Sequence, residues 1–215
     1  MKSFFYILFL ILSSLICNAQ VKEENEEYVV FDLTAYEPML NRAITAVHNK
    51  ELQKAKSILD SCYAVNNLDT MVIALLHETL LMKINTQGEP NKNLTDIKNW
   101  ETQYPFLKED KRLQEIKVKD AVSLGMQSFD SKNINSAESL TKLIIKTIQE
   151  SNAPTSLKKI SNVDALIYNV GMQLFYDKQF KAAYHLFSSG TSFFSQDKNM
   201  NTMYKLSKER IQTKK

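Results

Sequence analysis

The chain has 215 residues, 44% of them hydrophobic, with a formal charge of +3, four glycines and four prolines. So slight a charge gives no electrostatic footprint for nucleic acid, and so few turn-forming residues, with few alternating β-branched runs, predict a nearly all-helical chain. The length suffices to bury a real core, as one domain or a short solenoid.

In chain order, the first element is a leader over residues 1–19. Lys2 supplies a positive charge, residues 4–12 are an unbroken apolar run, and Cys17-Asn18-Ala19 puts small residues three and one before a cut. This predicts a secretory signal peptide and a chain, exported to the periplasm or secreted, that starts near Gln20. The leader resembles those of Gram-negative bacterial envelope proteins. A lipid anchor on Cys17 is the competing reading, which would make the product an outer-membrane lipoprotein; Ile16 stands where that processing prefers a small residue. The apolar stretch is shorter than the roughly 20 residues a bilayer span needs, and no later segment has a comparable charge-free run, so no membrane span is expected in the mature chain.

Cleavage removes Lys2, leaving +2, and Cys17, leaving Cys62 alone. No intramolecular disulfide is then possible, and Cys62 reads as a buried small apolar residue. Residues 20–35 read as a mobile segment, charged over 22–27, with Tyr28-Val29-Val30-Phe31 the strand-like stretch.

Residues 36–215 read as an all-α domain. Helices are expected over 36–48 and 51–65 around the turn Asn49-Lys50. Asp69 should cap a helix through Lys83, stopped by Gln87-Gly88-Glu89-Pro90. Thr95 should cap a short helix to Gln103, stopped by Tyr104-Pro105. Helices over 108–130 and 134–151 follow, joined by Ser131-Lys132-Asn133 and closed by Asn152-Ala153-Pro154. Next come 163–176 and 180–194, joined by Asp177-Lys178-Gln179, and a final helix over 200–212.

Within this series the chain repeats itself. Gly125-Met126-Gln127-Ser128-Phe129, with Ala137 twelve residues after the glycine, recurs forty-six residues later as Gly171-Met172-Gln173-Leu174-Phe175 with Ala183. Gly171, Phe180, Ala183, Phe187 and Gly190 form one set; Gly125, Ile134, Ala137, Thr141 and Ile144 a second; Ala43, Leu52, Ala55, Leu59 and Cys62 a weaker third. This alternation of small and large residues resembles the tetratricopeptide repeat, a helix-turn-helix unit of thirty-four residues. The spacings here, eighty-two from Ala55 to Ala137 and forty-six on to Ala183, demand extra helical material between units. The expected fold is therefore an irregular helix-turn-helix array, an α-solenoid whose last helix caps the apolar end.

The resemblance implies a concave groove. It would be lined by Tyr168, Met172, Phe175 and Tyr176 from one unit and by Lys119, Val122, Met126, Phe129 and Asp130 from the unit before. Aromatic and methionine side chains suit a peptide or protein partner. The opposing reading makes the same stripe a core, as the three-residue step from Met172 to Phe175 suggests.

No reaction is legible, and the chain reads as non-enzymatic, without a cofactor or metal site. His48, His77 and His185 stand singly in helices, and a zinc-protease reading of His77-Glu78 fails at Leu81. Glu23-Glu24 and Glu109-Asp110 are sequence neighbours and would splay about 100° apart on a helix. Asn93-Leu94-Thr95 matches a glycosylation acceptor only formally, and Trp100 reads as a packing anchor. Two functions remain: an envelope interaction module holding a partner in its groove, or an obligate, chaperone-like subunit whose apolar face is buried in an assembly.

Overall fold

The structure, a computed structural model, describes residues 33–151 and 154–213. The leader and the strand-like Tyr28–Phe31 stretch lie outside them. The chain divides into a unit ending at Pro38, of which only the opening of the first helix is described, and a unit from Met39 to Lys215. Every element among the described residues is helical: α1 (Leu33–His48), α2 (Leu52–Val65), α3 (Thr70–Gln87), α4 (Pro90–Gln103), a 3₁₀ turn (Pro105–Glu109), α5 (Lys111–Asp130), α6 (Ile134–Glu150), α7 (Pro154–Lys158), α8 (Val163–Tyr176), α9 (Phe180–Phe193) and α10 (Lys198–Gln212). From α2 onward each long helix packs on its neighbour in the chain, which makes the fold an all-α helical repeat array.

The repeat is plainest in its turns. α1 passes to α2, α5 to α6 and α8 to α9 through a lysine in the left-handed region: Lys50 at φ 59°, Lys132 at 61° and Lys178 at 61°. Each lysine N–H donates three residues back, to Val47, Phe129 and Phe175, and the next N–H donates five back, to Ala46, Ser128 and Leu174. That pair of bonds is the Schellman closure of a helix, usually built on glycine because a Cβ resists this conformation. In all three turns the lysine follows the small helix-A residue (Ala43, Gly125, Gly171) by seven and precedes the helix-B alanine (Ala55, Ala137, Ala183) by five. The weak third match of the sequence thus shares its turn with the other two.

Other boundaries differ from expectation for local reasons. α4 begins at Pro90, whose fixed φ suits a first helical position, so Thr95 is interior and its hydroxyl donates to Asn91 O at 2.9 Å instead of capping. The helix expected over 108–130 is divided, because Asp110 accepts from Leu113 N at 2.9 Å and starts α5 afresh after the 3₁₀ turn. α3 continues to Gln87 and ends on Gly88 at φ 62°. α10 starts at Lys198, where Asp197 accepts from Met200 N at 3.0 Å. α1 starts at Leu33, and α7 is an added short helix that opens on Pro154.

The core of the second half centres on α8, whose Leu166, Ile167, Val170 and Leu174 are fully buried. Burying each such side chain contributes about 1.5–3 kcal/mol. The helix glycines serve three different contacts. A Cβ on Gly171 would run into the Phe187 ring within its own helix pair, one on Gly125 would run into Leu166 of the next pair, and one on Gly190 into Met200 of α10. Close approach within a pair therefore describes Gly171 alone. Gly125 admits a side chain from the following unit, because its own helix B carries the short Thr141 where unit three has Phe187.

The first half is tied by polar groups. Tyr104, fully buried, donates from its hydroxyl to Asp60, which also binds Lys56 Nζ at 2.8 Å and Gln103 Nε2 at 3.1 Å. Trp100 is buried beside it, edge-on to Tyr104 at 5.5 Å, the anchoring role expected of it. Cys62 is fully buried, and burial is the leading cause of the upward shift of its thiol pKa. No helix of the described residues is long and apolar enough to cross a membrane.

Candidate interaction surface

Lys119, Val122, Met126 and Asp130 form one row on α5, at helical steps of three and four that stack side chains on one face. That row is one wall of an open groove of ≈ 760 Å³, whose other wall is the segment from Lys159 to Asn162 after α7. Val122 is buried at its base, Met126 and Ile160 are half-buried, and Lys119, Asp130 and Lys159 stand exposed around them. Asn162, in the left-handed region at φ 68°, turns this segment into α8.

Phe129 lies one step further round α5, half-buried, in a neighbouring cavity of ≈ 500 Å³ with Gln173 and Asp177 of the next unit. The α8 residues behave differently. Tyr168, Met172 and Phe175 are half-buried and packed against the core, with Tyr168 edge-on to Phe187 at 6.2 Å and Phe175 edge-on to Phe180 at 5.1 Å. Tyr176, 70% exposed, projects into solvent and touches the stripe through the Phe175 ring at 6.5 Å. The single stripe expected from the sequence is therefore two surfaces, an open one on α5 and a largely covered one on α8.

Lys159, Ile160 and Asn162 were not identified from the sequence. The excess of residues between the second and third units was the available signal, since material beyond a thirty-four-residue period must lie against some face of the array. His77, read as isolated, has its Nε2 3.1 Å from Asp110 Oδ2, but the other oxygen of that carboxylate is the α5 cap. Among the described residues no group of three His, Cys, Asp or Glu side chains is placed to hold a metal ion. No protein-family model matches this chain, and no curated protein or solved structure matches it.

Proposed function

We propose that the chain is a tetratricopeptide-like interaction module of the bacterial envelope that holds a peptide or protein partner along α5 and performs no chemistry. The observation that carries this reading is the groove between α5 and residues 159–162. Its half-buried Met126 and Ile160 offer adaptable apolar contact, and its exposed Lys119, Lys159 and Asp130 can fix the register of a bound chain. The leader supports export, and cleavage after Ala19 would deliver the mature module.

The test is site-specific photocrosslinking in the native cell, with a benzophenone side chain at Gln127. The expected result is one discrete adduct, lost when Met126→Asp is added and absent when the probe is moved to the exposed Thr102. An adduct that survives Met126→Asp overturns the groove. The obligate-subunit reading is favoured by a different observation: Val65, Leu68 and Met71, at 46%, 80% and 50% exposure, cluster at the α2–α3 tip. Monodisperse monomeric elution of the purified chain opposes it.

A further inference from the structure

We propose that the cleft at the start of α9 is a second docking site, for an acidic segment of a partner protein. The cleft, ≈ 590 Å³, lies on a different set of elements from the α5 groove and so does not depend on that reading. Four elements bring basic side chains to it: Lys142 from α6, Lys178 from the α8–α9 turn, Lys181 and His185 from α9, and Arg210 from α10. Among the described residues none of the side chains lining it is acidic. For a chain whose formal charge is only +3, that is a strong local excess.

Two further features favour an anionic occupant. α9 begins at Gln179 without a side-chain cap from that residue, and the positive end of its dipole opens on this cleft. Lys178 is held in a conformation that disfavours side chains, which fixes where its stem leaves the turn. The number and kind of cations decide between a peptide and a phosphate group. Lysines are point charges without the fork that grips one phosphate, and a single Arg210 supplies that fork. Basic groups spread round an open cleft, with Phe180, Ala182 and Ile211 between them, match carboxylates dispersed along a chain that also carries an apolar residue. Lys142 is held at 2.7 Å by Glu138, so the exposed Lys178, Lys181 and Arg210 carry most of the free charge.

Fluorescence anisotropy with a labelled peptide of alternating Glu and Leu tests this on the mature chain. Saturable binding is expected, weakening as NaCl rises from about 50 to about 500 mM, with no binding of the Lys and Leu counterpart. Lys178→Glu with Lys181→Glu should weaken it at least tenfold, and so should Arg210→Glu at the exposed end of α10. Lys119→Glu with Lys159→Glu, the same change of charge at the α5 groove, should leave it intact. Circular dichroism accompanies each variant; should the Lys178 and Lys181 pair unfold, Arg210→Glu decides alone. Absence of saturable binding, retention of binding by the cleft variants, or equal loss in both double variants overturns the proposal. Displacement of the peptide by inorganic phosphate or phosphatidylglycerol vesicles at matched charge also overturns it, and assigns the cleft to a phosphate group.

Discussion

A methyl group on Gly171 would stand 2.6 Å from Cζ of Phe187 and 2.8 Å from its Cε1, distances no real Cβ keeps. The ring is fully buried and cannot swing clear. Gly171→Ala gains about 1 kcal/mol of helix propensity but overpacks the pair by about 1–3 kcal/mol, so net destabilisation is expected. Gly125→Ala meets the end of a flexible leucine, Cδ2 of Leu166 at 2.7 Å, and should cost less. Urea unfolding of the two variants checks the order, and Phe187→Leu should restore part of the loss in Gly171→Ala only.

Replacing a turn lysine by glycine should stabilise the fold. A side chain in the left-handed region costs about 1–2 kcal/mol, and the added freedom of glycine in the unfolded chain returns about 0.5–1 kcal/mol of that. Lys132→Gly is therefore expected to raise stability by about 0.5–1 kcal/mol, read from the urea midpoint. Lys132→Ala keeps the Cβ and should show no such gain.

Ser207 is fully buried on α10, and among the described residues its hydroxyl has no hydrogen-bond partner. Burying such a group costs about 1–3 kcal/mol. Ser207→Ala should raise the melting temperature by about 2–4 °C, corresponding to about 1 kcal/mol for a chain of this size. A lowered melting temperature would show that the hydroxyl is satisfied.

Burial, the hydrogen bond to Asp60 and the charge on that carboxylate push the Tyr104 phenol well above its usual range. Its folded-state pKa exceeds the unfolded value of about 10, so its contribution is fully present below that pH and is lost as pH rises above it. Stability should hold from neutrality to about pH 9 and then fall, with a shallower fall in Tyr104→Phe. At neutral pH that variant should lose about 1–3 kcal/mol, toward the lower end because Lys56 and Gln103 still hold Asp60.

The elements most legible in the sequence were those whose signal is local. Asp69 does cap α3, accepting from Met71 N at 2.8 Å, and the Gly88 stop lies where its left-handed φ requires. The helix pairs and their turns followed from spacing alone. Thr95 was misassigned because Pro90 and Thr95 are both start signals five residues apart; the chain takes the earlier one, and Asn93 in its first turn then reaches Asp120 on α5 with its amide at 2.8 Å. The α8 stripe was ambiguous because its burial is decided by α9 and by Leu166 lodging against Gly125, contacts that no periodicity within α8 encodes. The α5 groove was half legible, since its second wall comes from residues 159–162, which repeat nothing.

The three lysine turns divide the chain into stretches that tolerate added length and stretches that do not. Between helix-B alanines the distance changes from eighty-two to forty-six residues, yet from each small helix-A residue through its turn to the helix-B alanine every offset is the same. Elongation has been absorbed in 66–110 and 151–162, where a loop, a short helix or a whole helix pair could be accommodated without disturbing a Schellman closure. A tag inserted at the exposed Asn67-Leu68 turn should leave all three pairs folded, whereas a single residue added between Gly125 and Ala137 would rotate α6 out of register with everything it packs against.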